Sequence, residues 1–279
     1  GLLHQIACSA IEIRQGELLV DRFEPFALSG MTDLINGFDL KTAQIQIALL
    51  IGGLNYEDPP IAVADSGNRD ALNPLPFSLQ EVDSCEQTLR ERLIFVMSCR
   101  KNQAPENLIR AMGQRRLSPH LFHAAIHGKS DGGKWYNSGN PCESPGTWDP
   151  LNGVRLYLSG SNPSTPANLI NPAEEDQILY GSEIAALNLS NTKLAILSAC
   201  ETGLGDIRGM EGVYGLQRAF RLAGVERLIF SLWSVNDRSG AEFMAMLYRN
   251  WFRQDSLRAS FLQTQRNMRR KYSTKGPFY

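Results

Sequence analysis

The sequence feature that most constrains the fold is a series of short apolar segments, separated by polar loops and by segments of helical periodicity. Segments of this length, rich in Ile, Leu and Val, are typical of buried strands. Their alternation with helices favours an α/β fold with a mainly parallel central sheet, covered by helices on both faces. The predicted strands are residues 45–51, 92–98, 121–126, 153–159, 193–199 and 227–232.

Helical periodicity predicts the covering layers. The predicted helices include residues 105–114, 181–187, 211–222, about 239–251 and about 256–270. Another helix precedes the second strand, and Ser78 and Glu81 have the spacing of a capping box at its start. Ser182 is expected to cap the helix over 181–187. The apolar face of the helix that follows Ser78 is predicted from Val82, Cys85, Leu89 and Leu93.

Composition excludes several classes of protein. The 279 residues are 43% hydrophobic, enough for a sizeable core, and the net charge of -1 gives no reason to expect direct nucleic-acid binding. The basic residues at 266–272 lie on the last predicted helix and are interpreted as a solvated face. No apolar segment approaches the roughly 20 residues that cross a bilayer, so no membrane association is expected.

The cysteines argue for a reduced environment. Their number is odd, their spacing is irregular and no CxxC pair is present, so neither a disulfide framework nor a zinc site is expected. We therefore expect a cytoplasmic protein with no metal and no cofactor. The cysteines are Cys8, Cys85, Cys99, Cys142 and Cys200.

Two reactive side chains follow predicted strands directly. His127 comes after the strand over 121–126, and Cys200 comes after the strand over 193–199. Ligands of open α/β sheets bind outside the carboxyl ends of the strands, so both side chains are predicted at one edge. There a histidine can take the proton of a cysteine nucleophile, and the N–H groups of Gly128 and Cys200 can form an oxyanion hole.

Simpler interpretations of each residue stay open when it is considered alone. A lone cysteine at the end of an apolar strand is most often an inert buried residue, and a lone histidine is most often structural. His123 lies inside the predicted strand that precedes His127, so its side chain is expected to be packed in the core. The Gly-rich turn at 201–209 lacks the Lys-Ser/Thr pair of a phosphate-binding P-loop.

Several motifs in chain order resemble one family. Residues 194–237, which begin LAILSACETGLG, closely resemble the signature block of CHAT domains. LFHAAIHG at 121–128 resembles the family's histidine motif, and PLPFSLQEVDSC at 74–85 resembles its leucine-proline segment. The resemblance implies a caspase-like three-layer α/β/α sandwich. It also implies that residues 1–279 are one domain, cut from a longer chain at both ends, in which about residues 1–40 are an N-terminal strand and loop extension.

The resemblance also implies an activity, that of a cysteine endopeptidase. The family's catalytic dyad matches His127 and Cys200, and no third catalytic residue is required. Such peptidases cut a protein substrate, are often switched by an upstream tetratricopeptide-repeat (TPR) or sensor region, and in several cases act in bacterial defence. Glu201, Trp233 and Asp237 are candidates for the substrate pocket, where an acidic Asp237 would favour a basic substrate residue.

This chain departs from the family pattern in a long segment after residue 130 and in an isoleucine before His127, and neither departure removes the dyad. Two other function classes remain open. One is a catalytically silent caspase-like module that binds a peptide or partner, and the other is a different thiol enzyme, such as an acyl transferase or a redox sensor.

Overall fold

The fold is known from a computed structural model. It describes residues 12–15, 17–22, 39–56, 72, 74–103, 106–114, 118–130, 151, 153–161, 177–198, 210–231 and 235–272. The strands are β1 Glu12–Arg14, β2 Glu17–Leu18, β3 Ile47–Leu54, β4 Phe95–Lys101, β5 Leu121–Ala125, β6 Gly128–Ser130, β7 Val154–Tyr157, β8 Ile178–Tyr180, β9 Leu194–Leu197 and β10 Leu228–Phe230. The helices are α1 Leu19–Arg22, α2 Pro76–Arg90, α3 Glu106–Gln114, α4 Gly181–Ala186, α5 Met210–Leu222, α6 Asp237–Gln254 and α7 Leu257–Tyr272, with a 3₁₀ turn at Thr42–Gln44.

Five of these strands form a parallel central sheet in the order β10-β9-β5-β3-β4. Every neighbouring pair in it is parallel. The two strands that precede the predicted dyad are direct neighbours, because β5 pairs with β9 from Leu121 opposite Leu194 to Ala124 opposite Leu197. The predicted fold class, an α/β domain with a mainly parallel central sheet, is confirmed.

Strand side chains alternate between two apolar layers, as the period of two in a strand requires. Leu50 of β3 and Ile196 of β9 belong to the layer beneath α2 and α6, which also holds Val82 and Tyr248. The other layer lies beneath helices that include α4 and α5, and its strand residues include Leu49, Ile51, Phe122, Ala124, Ala195 and Leu197. The chain is therefore an α/β/α sandwich with a core on each face of the sheet.

A second, antiparallel sheet continues from the central one. Strand β6 begins three residues after the end of β5 and pairs with β7, which pairs with β8. The segment at 153–159 was correctly predicted as a strand, but it belongs to this small sheet rather than to the parallel one. The sequence pattern of a strand does not reveal its partner, because the partner is chosen by hydrogen bonds between distant segments.

The start of α2 differs from its prediction. The helix begins at Pro76, whose fixed φ and missing N–H suit the first helical position, so Ser78 and Glu81 lie inside the helix and the predicted capping box is wrong. Leu93 is also wrong as a core residue. It follows the end of the helix with a φ of 59° and is 96% exposed.

The helix over 181–187 shows a second capping error. Helix α4 begins at Gly181, which places Ser182 inside it, and the carboxylate of Glu183 accepts the N–H of Tyr180 at 2.9 Å. Near the amino end of the chain, β1 and β2 pair as a short antiparallel ribbon. Most of the predicted extension over about 1–40 lies outside the described residues, so that interpretation stays a prediction.

Candidate active site

His127 lies at the junction of the two sheets, directly beyond the carboxyl end of β5. Its backbone is held from two sides, because its N–H donates to the hydroxyl of Tyr56 at 3.2 Å and its carbonyl accepts the N–H of Tyr157 at 3.0 Å. The imidazole packs against the Tyr56 ring, with ring centroids 4.9 Å apart. With 4% exposure, His127 is a nearly buried residue whose position is set by tertiary contacts.

The register of the small sheet fixes the direction in which the backbone N–H of Gly128 points. Because Tyr157 donates to the carbonyl of His127, Gly128 and Leu156 are opposite each other as a pair without mutual hydrogen bonds. The N–H of Gly128 therefore points away from β7. This leaves it out of the β6–β7 ladder.

The segment that leads to Cys200 leaves the sheet beside β5. After β9 ends at Leu197, the N–H of Ser198 donates to the carbonyl of Ala124 at 2.9 Å. The two strands that lead to His127 and Cys200 therefore end side by side at one edge of the sheet. That the two side chains meet there stays a prediction. Cys200 and Glu201, which follow after Ala199, lie outside the described residues, and so does Trp233.

Asp237 is the one predicted pocket residue that the structure describes. It opens α6, and its carboxylate accepts the N–H of Phe77 at 2.8 Å, so it caps the start of α2 from another helix. Burial raises the pKa of Asp237 and nearby Glu81 raises it further, while the N–H of Phe77 and the proximity of His127 act in the opposite direction. Asp237 is thus electrostatically close to His127, and its carboxylate is already engaged with α2.

A buried polar cluster lies beneath this edge of the sheet, and sequence reasoning missed it. His123 is fully buried and contacts two side chains, with its Nε2 2.8 Å from Oε1 of Glu81 and its Nδ1 2.8 Å from the hydroxyl of Tyr248. The hydroxyl of Ser198 donates to the second oxygen of Glu81 at 3.1 Å. A signal was present, since Glu81 lies one helical turn before Cys85 on the apolar face of α2, where a carboxylate needs buried partners.

The described residues offer no obvious place for a metal. Within those ranges, no group of three or more His, Cys, Asp or Glu side chains is arranged to hold an ion. Nor does any helix in the described part of the chain have the length and apolar character needed to cross a membrane.

Comparison with known proteins identifies the family. The sequence model of the CHAT domain matches residues 1–279, which is the whole chain. No curated protein matches the chain significantly. The family match agrees with the α/β/α architecture and with the motifs around residues 121–128 and 194–205.

Proposed function

The chain belongs to the CHAT domain family, and we propose that it is a cysteine endopeptidase in which His127 and Cys200 form a catalytic dyad. The family is a caspase-like, peptidase-related one, which gives the general class of chemistry. The observation that carries the more specific proposal is the pairing of β5 with β9. It brings the backbone of His127 next to the strand whose continuation contains Cys200.

In the proposed reaction, His127 acts first as a base and then as an acid, once while the acyl-enzyme forms and again while it is hydrolysed. His127 takes the proton of the Cys200 thiol as the sulfur attacks the carbonyl carbon of the scissile peptide bond. It then gives that proton to the departing amine, leaving an acyl group on sulfur. In the second half, His127 takes a proton from water as the water oxygen attacks the acyl carbon, and it returns the proton to the sulfur as the product acid leaves.

The surroundings of His127 support this role. Its main chain is anchored on both sides and its ring packs on Tyr56, so little conformational freedom is lost when a substrate binds. The N–H of Gly128 is directed out of the small sheet and can donate to the oxyanion together with the N–H of Cys200. One such donor contributes roughly 3–4 kcal/mol to transition-state stabilisation.

The proposal extends to the substrate and to the regulation of the activity. We propose a protein substrate, bound in a pocket to which Glu201, Trp233 and Asp237 contribute, and activity switched by a repeat or sensor region. CHAT domains are often linked to TPR regions, and this motivates that choice of regulator. We propose that the peptidase acts in bacterial defence. The carboxylate of Asp237 would favour a basic side chain in the substrate.

Labelling with a peptide chloromethyl ketone tests the dyad directly. The reagent should modify one cysteine in the wild type, and both Cys200→Ala and His127→Ala should abolish the modification. Cys85 and Cys99 are internal controls, because burial raises the pKa of both thiols and keeps them protonated and unreactive. His120→Gln is the matched histidine control, since His120 accepts backbone N–H groups at the other end of β5.

The outcomes separate the function classes. Modification of Cys200 that depends on His127, followed by cleavage of a peptide series by the wild type alone, supports the endopeptidase. Unmodified Cys200 in the full-length protein with its repeat or sensor region present overturns the proposal in favour of a silent binding module. Modification without cleavage of any peptide favours another thiol enzyme.

A further inference from the structure

We propose that Glu81, His123 and Ser198 are positioning residues that hold the start of the segment leading to Cys200, so that the thiol lies within reach of His127. This inference rests on the proposed function and adds to it residues outside the dyad. Its basis is a continuous hydrogen-bonded path, which runs from the interior of the layer beneath α6 to the edge of the sheet.

The path has four members, three of them on different elements and the fourth directly after β9. Tyr248 of α6 and His123 of β5 are fully buried, and Glu81 of α2 is 2% exposed. Ser198, directly after β9, is half-buried at the edge. The three successive contacts are 2.8, 2.8 and 3.1 Å long, from the Tyr248 hydroxyl through His123 and Glu81 to the Ser198 hydroxyl.

One arrangement of protons satisfies every contact with a neutral imidazole. The hydroxyl of Tyr248 donates to Nδ1 of His123, Nε2–H of His123 donates to one oxygen of Glu81, and the hydroxyl of Ser198 donates to the other. In this arrangement the carboxylate of Glu81 accepts at both oxygens and is the end point of both donor chains. Ser198 is thereby anchored to a side chain that is itself held inside the core.

Ser198 is anchored through its main chain as well. Its N–H donates to the carbonyl of Ala124 on β5, which fixes the backbone at the same point where Glu81 fixes the side chain. Gly240 of α6 packs beside the hydroxyl, since a Cβ added there would lie 3.8 Å from Oγ of Ser198. The chain therefore leaves the sheet from a defined position, two residues before Cys200 and beside the strand that carries His127.

A purely structural account explains this cluster less well. The layer that holds Glu81 has apolar members that include Val82, Leu50 and Ile196, and an apolar residue in place of Glu81 would be buried there without the cost of desolvating a carboxylate. We expect a buried hydrogen-bonded network in such a place to contribute orientation rather than net stability. Orientation matters most at the one end of the network that reaches the site, which is Ser198.

The test measures how fast iodoacetamide alkylates Cys200 as a function of pH, in the full-length protein. In the wild type, His127 should assist thiolate formation and place the midpoint of the profile below that of free cysteine, about pH 8.5. Ser198→Ala should move the midpoint up towards that of free cysteine and slow alkylation below pH 7 by about tenfold. Ser198→Thr keeps the hydroxyl and should restore the wild-type profile.

Two further variants make the result specific. Ser260→Ala removes another buried serine, on α7, and should leave the profile unchanged. Glu81→Gln keeps the size of the side chain but loses the charge that both donors share, so it should shift the profile in the same direction as Ser198→Ala. Urea unfolding of each variant shows whether a changed profile accompanies a loss of stability.

Failure of this inference differs from failure of the proposed function. If His127→Ala leaves the wild-type profile unchanged, the dyad itself is refuted. If His127→Ala shifts the profile but neither Ser198→Ala nor Glu81→Gln does so, the dyad stands and the positioning role is refuted. A shift in Ser198→Ala that Ser198→Thr does not reverse also refutes it, because the hydroxyl would then not be the anchor.

Discussion

Tyr56→Phe is the substitution that isolates how His127 is held in place. Tyr56 is 3% exposed, its hydroxyl accepts the N–H of His127 at 3.2 Å, and its ring packs on the imidazole. Phenylalanine keeps the ring and removes the acceptor. The variant therefore separates the hydrogen bond from the packing that surrounds it.

The expected magnitude follows from burial. The N–H of His127 loses its acceptor in a residue that is 4% exposed, and an unsatisfied buried donor costs about 1–3 kcal/mol. The free energy of unfolding should fall by that amount, which corresponds to about a 5- to 150-fold change in the unfolding equilibrium. Tyr56→Ala removes the ring as well, and its total loss should reach about 3–5 kcal/mol, the usual cost of truncating a buried aromatic side chain.

Urea unfolding at neutral pH measures both losses. Tyr272→Phe is the matched control, because the Tyr272 hydroxyl donates to Glu242 at 2.7 Å at the end of α7, at a partly exposed position. We expect its effect to stay within about 0.5 kcal/mol. If Tyr56→Phe is as stable as the wild type while Tyr56→Ala is not, packing alone holds His127 and the hydrogen bond is irrelevant.

Three further substitutions test the fold and its charges by urea unfolding. Gly52→Ala should cost about 1–3 kcal/mol, because its Cβ would lie 2.6 Å from Val82 Cγ2, and Val82→Ala should recover part of that loss in the double variant unless the strand shifts instead. Burial raises the pKa of Glu86, but the hydrogen bond from Arg100 helps to hold it below its usual value. Glu86→Gln should therefore be less stable than the wild type at pH 7, by a margin that shrinks as the pH falls below about 4, and a margin independent of pH would contradict this. Burial raises the pKa of Asp237, so ionisation of this carboxyl destabilises the folded wild type as the pH rises. The stability of Asp237→Asn relative to the wild type should therefore increase from about pH 3 to about pH 7. A decrease over that range would show that the charge of Asp237 stabilises the fold.

Local pattern was sufficient to predict most elements of this protein. Short apolar segments became strands and amphipathic segments became helices, because a strand or helix is selected largely by which of its own residues can be buried. The position of His127 followed from the same reasoning, since a polar residue directly after a buried apolar strand lies at the strand's end.

The hydrogen-bond partners of these side chains, in contrast, depend on the tertiary structure. Glu81 has the spacing of a capping residue, but the helix starts at Pro76 and turns Glu81 into the core, where His123 and Ser198 meet it. The cap for that helix is Asp237, far along the chain. The residues around Glu81 indicate that its carboxylate needs buried partners, but they do not identify which residues those partners are.

The order of strands and helices, the α/β class and the two strand ends with reactive side chains could all be predicted from the amino-acid sequence. Three features required the folded chain: the pairing of β5 with β9, the place of Val154–Tyr157 in a separate sheet, and the contact between a buried carboxylate and Ser198. The physical reason is the range of the forces involved. Burial patterns are written into adjacent residues, whereas hydrogen-bond partners are chosen among groups that meet only after the chain has folded.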